Sequence, residues 1–191
     1  MSDAVGTARG HVLAALPGDR EHERHRRRIL ELIDGHPDVL DRSCQPGHLT
    51  GSAMVVDPAR RRFVLMLHAK LRMWLQPGGH ADGDGELPQV ARREASEETG
   101  LDGLAVVTPA IDLDVHMVGP PHGPHLHLDV RYLVVAPPGA ELRPNHEALD
   151  MRWATIDELG GYGVDAATVR LAYRALARVD DLAARGALPR V

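Results

Sequence analysis

At 191 residues and 43% hydrophobic content the chain can bury a sizeable core, which suggests one domain with room for an appendage. A formal charge of −5 argues against a general nucleic-acid binder and against a binder of acidic membranes, and no apolar run approaches the length of a membrane span. A single cysteine, Cys44, leaves no internal disulfide and fits a reducing compartment; a buried or idle thiol is expected.

Met1 to Gly6 lacks a basic segment and a long apolar core, so no signal peptide is expected and the expected location is cytoplasmic. Residues 1–46 read as an N-terminal helical extension. Asp19 can cap a helix running to about Asp34, with Ile29, Leu30, Leu32 and Ile33 as its apolar side. Its first half, Glu21 to Arg28, is almost wholly ionisable. A solvated helix face is the plainer reading of that run, and contact with phosphates the alternative. Gly35-His36-Pro37 ends the helix, because proline lacks an amide donor and restricts the residue before it. A strand begins near Leu49 and runs to Val56, turns at Asp57-Pro58 and returns as Phe63 to Leu67, a hairpin pattern. Trp74-Leu75 then lead into Gln76-Pro77-Gly78-Gly79.

The most informative stretch follows, Gln76 to Leu101. Its second half, Arg93-Glu94-Ala95-Ser96-Glu97-Glu98, reads as helix. With about 3.6 residues per turn, Glu94, Glu97 and Glu98 share one face. Three like charges side by side destabilise a helix on its own, and a hard divalent cation with oxygen ligands would offset that repulsion. Gly100 can end the helix in the left-handed conformation, and Gly78-Gly79 allow a sharp turn and a close approach to a ligand.

Gly79, five residues, Gly85, seven residues, then Arg93-Glu94-Ala95-x-Glu97-Glu98-x-Gly100-Leu101 resembles the Nudix box of the Nudix hydrolases over 23 residues. One fixed position departs: the box has Glu where this chain has Gly85, with Glu86 one place later. The resemblance implies an α/β fold, an α/β/α sandwich with a mixed β-sheet, over residues 47–191. It further implies that Glu94, Glu97 and Glu98, with the main-chain carbonyl of Gly78, bind Mg²⁺ or Mn²⁺. Arg93 is then expected to orient a glutamate through an ion pair. Gly85 puts loop support in doubt more than metal binding, and leaves a weakly active member as a second possibility. In this family an additional base or ligand often comes from a loop beyond the box, which singles out Glu147; a plain exposed glutamate is the competing reading.

Beyond the box, Ile111 to His116 alternates as a half-buried strand, and His125 to Tyr132 does the same before continuing to Val135. Gly119 to Pro124 reads as a loop. Another strand is expected from Ala148 to Trp153. Thr155 and Glu158 have capping-box spacing, and a last helix runs from Val164 to about Arg185. Histidines crowd this region: His116, His122, His125 and His127, with His80 inside the box. Two-residue alternation puts His125, His127, Asp129 and Arg131 on one strand face. That face could hold a general base, a phosphate contact or an extra transition-metal site, or be polar only because solvent or a loop covers it. If it lines the cleft, Arg131 offers a bidentate fork to phosphate, and His127 titrates near neutrality. His80 is a candidate beside the phosphates. Trp74 is a candidate to stack on a base, with core packing the commoner role.

The function expected is that of a Mg²⁺-dependent hydrolase cleaving the diphosphate linkage of a nucleoside diphosphate joined to another moiety. Catalysis is assigned to Glu94, Glu97, Glu98 and Glu147, and substrate binding to Arg131, His127, His80 and Trp74. The partner expected is a small nucleotide-type molecule, with no nucleic acid and no membrane; a homodimer is left open. Two alternatives stay open: a non-catalytic Nudix domain binding a nucleotide-derived regulator, and an enzyme like isopentenyl diphosphate isomerase.

Overall fold

The computed structural model describes residues 3–119, 123–189 and 191, so Pro120, Pro121 and His122 of the expected proline-rich loop lie outside the described residues. In chain order the elements are α1 (Asp3–Ala14), α2 (Arg20–Gly35), β1 (Gly47–Asp57), β2 (Arg62–His68), β3 (Trp74–Leu75), β4 (Gly78–His80), α3 (Leu87–Thr99), β5 (Ala105–Val118), β6 (His125–Val135), β7 (Ala148–Ala154), a 3₁₀ turn (Ile156–Glu158), α4 (Leu159–Tyr162) and α5 (Ala166–Ala184). The strands form one mixed sheet of order β3-β2-β1-β6-β5, with β4 paired to β1 and β7 to β2. Its centre is the parallel pair β1 and β6, in which His48 stands beside His127, Thr50 beside Asp129 and Ser52 beside Arg131. The remaining pairings are antiparallel.

Alternation along those two strands sorts the layers. Leu49, Ala53 and Val55 of β1, with Leu128, Val130, Tyr132 and Val134 of β6, bury against α1, α2 and α3. Met54 and Val56, with Leu133 and Val135, turn the other way and meet Leu171, Ala172, Ala175, Leu176 and Val179 of α5. The expected α/β/α layering and mixed sheet are therefore present. Both expected helix starts are capped as read: Asp19 accepts from the His22 amide at 2.9 Å, and the Thr155/Glu158 box closes. Asp165, rather than Val164, opens α5 by accepting from the Thr168 amide at 2.7 Å.

Helix α1 was not foreseen from the sequence. It buries Val5, Ala8 and Val12 in the same cluster as the sheet, together with Ile29, Leu32 and Ile33 of α2. The ionisable run on α2 supplies its fastening. Arg26 donates to the carbonyls of Val12, Leu13, Ala15 and Leu16 at 2.8–3.1 Å, satisfying acceptors that the end of α1 leaves open. Arg9 of α1 donates to Asp34 of α2 at 2.8 Å. Strand β5 also starts earlier than expected, at Ala105, and its pairing with β6 shifts register between Val107 and Asp112. No helix among the described residues is long and apolar enough to cross a membrane. Cys44 is buried and its Sγ lies 3.4 Å from Asp38 Oδ1; burial, reinforced by that carboxylate, pushes its thiol up to about 11, which fits an idle thiol.

Candidate active site

Pro88 opens α3 within its first turn, where its missing amide is not needed. Gly100 closes it at φ 66°, its amide returning to the Ser96 carbonyl at 2.9 Å. The helix lies across β1 with its apolar side down: Ala91 and Ala95 are fully buried, while Glu97 is exposed and Glu94 half-buried. Glu98 is the exception among the acids, at 3% exposure. It is held by β4, where the Gly78 amide donates to its Oε2 at 2.9 Å. A side chain at Gly79 would run into the Glu94 carboxylate and displace it from its place beside β4.

The loop after β6 completes the arrangement. Arg143 and Asn145 donate their amides to the Thr99 and Glu98 carbonyls at 2.8 and 3.2 Å, and the Glu147 carbonyl accepts from the Ala69 amide at 2.8 Å. Pinned in this way, Glu147 lies close enough for its carboxyl to bear on that of Glu98. Burial pushes Glu98 up to about 8, against the pull of the Gly78 amide and with the help of Glu147 and Glu94. Glu94 is also raised, by burial first, although its partner Arg93 donates to it at 3.1 Å. Arg93 reaches the His80 carbonyl at 3.4 Å and thus forms the ion pair expected of it. One guanidinium faces a set of four acids. The donors are all oxygens and lack the charge to balance them, which is the chemistry a hard divalent cation fits. Among the described residues these carboxylates are not drawn into a closed cage.

Gly85 has a structural cause. A Cβ there would run into the carbonyl oxygen of Ala4, so α1 stands where the glutamate of the box would project. Glu86 does not replace it, because its side chain is turned to His11 of α1 at 3.2 Å.

Arg131 is placed differently from expectation. It is 3% exposed and its guanidinium is spent on Asp129 (2.6 Å), Asp114 (3.0 Å) and Asp112 (3.5 Å). Arg170 and Arg174 of α5 and His22 of α2 converge on the same acids. Asp129 also accepts from Thr50 and Ser52 at 2.9 and 3.0 Å. The row is polar because two helices cover it with charge of the opposite sign, and Arg131 has no fork left for a phosphate. Hydrogen bonds and these guanidiniums outweigh burial and hold Asp112 and Asp114 below the usual carboxylate range. His127 is corrected too. Burial beside His116, His80, His48 and His125 pushes it down to about 3, so it does not titrate near neutrality. His80 also faces this cluster, its ring 5.0 Å from that of His48 and 5.2 Å from that of His127. Trp74 packs edge-on against Tyr162 at 4.8 Å and is half-buried at the rim of the α5 layer. His22 and His25 were read only as part of the ionisable run on α2, and His48 went unremarked; His48 is visible there only if β1 and β6 are known to pair.

The family model described as NUDIX domain matches residues 48–177. A comparison with curated proteins gives no match. Among solved structures, a Nudix-family hydrolase from Clostridium perfringens is 21% identical with a TM-score of 0.52, over 71% of this chain and 97% of that one. An Ap4A hydrolase binary complex from C. elegans is 17% identical with a TM-score of 0.57, over 70% and 98%. The E. coli dihydroneopterin triphosphate pyrophosphohydrolase is 12% identical with a TM-score of 0.56, over 68% and 95%. These likenesses are of fold. The match of the family model over most of the chain, on a helix that carries the box acids as described, shows that the chain belongs to the Nudix hydrolase family.

Proposed function

We propose that the protein is a divalent-cation-dependent pyrophosphohydrolase that cleaves a phosphoanhydride linkage in a nucleoside diphosphate joined to another moiety. The observation that carries this reading is the meeting of Glu94, Glu98 and Glu147 at the Gly78–Gly79 turn, with Arg93 as their guanidinium partner. Glu94, Glu97 and Glu98, with the Gly78 carbonyl, would hold Mg²⁺ or Mn²⁺. Such an ion neutralises phosphate oxygens and lowers the pKa of an attacking water. Glu98 is kept in place by the Gly78 amide, and Glu94 by Arg93. The solved relatives described as an Ap4A hydrolase and a dihydroneopterin triphosphate pyrophosphohydrolase support a substrate of this class.

The test is a screen of nucleoside triphosphates, dinucleoside polyphosphates, nucleotide sugars and ADP-ribose in ¹⁸O-labelled water, with Mg²⁺, Mn²⁺ or chelator. Cleavage that requires the cation and labels one phosphate product is expected. Tight binding of a member of the panel without cleavage would replace the enzyme with a ligand-binding regulator.

A further inference from the structure

Across the sheet from α3, the α5 face of β1 and β6 carries a second group of donors of another chemical kind. The parallel register sets His48 beside His127, and His125 lies two residues earlier on the same face of β6. One ring nitrogen from each lies within 4.8 Å of the others. The ring centroids of His48 stand 4.8 Å from His125 and 5.0 Å from His127. His80 and His116 border the trio.

Two observations set this apart from polar packing. His48 is 1% exposed, and neither of its ring nitrogens completes a hydrogen bond of acceptable geometry among the described residues, although the Cys44 backbone is close enough to favour the protonated ring. A buried imidazole with both nitrogens unsatisfied is a standing cost that a bound ligand would remove. His125 is oriented as metal-bound histidines are. Its Nδ1 lies 2.9 Å from the Gly123 carbonyl, which can only accept, so Nδ1 is the donor there and Nε2 is the nitrogen left for a ligand.

We propose that His48, His125 and His127 form a binding site for a divalent transition-metal cation such as Zn²⁺, separate from the carboxylates of α3. Three imidazoles without a carboxylate suit Zn²⁺, Co²⁺, Ni²⁺ or Cu²⁺ and not Mg²⁺. Metal–nitrogen bonds of about 2.0–2.1 Å put tetrahedral ligands about 3.3 Å apart, so the rings must draw together by side-chain rotation. A fourth position falls to His80 or to a water. The ion would join β1 to β6 at the ends where both strands begin.

The test uses the full chain, stripped with chelator and titrated with Co²⁺ while millimolar Mg²⁺ occupies the carboxylates. One equivalent is expected to bind with the intense visible bands of a low-coordinate nitrogen site, to be displaced by Zn²⁺, and to raise Tm. His48→Gln and His127→Gln should abolish the bands, and Glu98→Gln should leave them. Only the weak bands of six-coordinate oxygen ligation, or bands that survive both histidine variants or vanish with Glu98→Gln, would overturn the site. If the histidine variants do not fold, X-ray absorption at the zinc edge of the loaded wild type decides. Imidazole scattering from three rings supports the site, and an oxygen-only shell sinks it.

Discussion

Two groups of charge sit on either side of the β1–β6 pair, and they are balanced in opposite ways. On the α5 side Asp112, Asp114 and Asp129 meet Arg131, Arg170 and Arg174, three acids against three guanidiniums. On the α3 side Glu94, Glu97, Glu98 and Glu147 have Arg93. A balanced network satisfies itself and holds elements together. An unbalanced one is stable only with something added, and it is the unbalanced group that the box motif marks. The difference explains why Arg131, which looked like a phosphate ligand in the sequence, is better described as a bolt between β5, β6 and α5.

Breaking the balanced side should have the largest effect. Arg131→Ala leaves Asp129 buried without a guanidinium and takes one from Asp112 and Asp114, and should cost about 3–5 kcal/mol in urea denaturation, while the folded fraction keeps its KM. A raised KM with intact stability would return Arg131 to the substrate. On the unbalanced side the order inverts. Glu98→Gln, and Glu97→Gln likewise, should lower kcat by about 10²-fold or more, while in chelator at pH 8 the Glu98 variant melts no lower than the wild type. Equal rates in limiting Mg²⁺ would remove these glutamates from the metal site. Gly85→Ala drives a methyl into the Ala4 carbonyl and should cost about 1–3 kcal/mol, with no such loss in a chain lacking residues 1–15. Gly85→Glu, which would restore the residue of the box, should destabilise for the same reason.

The smallest effect sharpens the contrast through pH. Glu98 has its folded pKa raised from 4.5 to about 8, so its protonated form favours the native state. In chelator that contribution is complete below about pH 4.5 and lost as pH rises through about 8. Asp112 and Asp114 have theirs lowered from 3.8, so their contribution is present above 3.8 and lost as pH falls through the folded values. Melting curves in chelator from pH 3 to 9 should fall at both ends, with Glu98→Gln removing the alkaline decline alone. A flat alkaline limb in the wild type would mean that Glu98 is not held protonated.

What the sequence made legible was local. The three acids of α3 follow from helical spacing within one turn and a half, and Asp19, Thr155 and Glu158 cap what they were expected to cap. What stayed hidden depends on distant chain. Helix α1 contains Gly6 and Gly10 and buries few large side chains, so neither propensity nor periodicity announces it; docking on the sheet makes it a helix. The alternation His127, Asp129, Arg131 was read correctly as a polar face, but its cover arrives with α2 and α5. His48 meets His127 only through parallel pairing across 79 positions, a relation no local pattern contains. Glu147 was chosen by position in the family and reaches Glu98 because Arg143 and Asn145 fasten its loop to the end of α3.

The contact between Ala4 and Gly85 bears on how pieces of this fold can be exchanged. A box loop carrying glutamate at this position, grafted into the chain, would lever the first helix off the body of the protein. The reverse graft, this loop in a host without the helix, would leave its glycine facing an empty notch. Residues 3–14 and the turn at 84–86 therefore form one transplantable unit. A chimera that respects the motif but divides that unit inherits the acids without their scaffold.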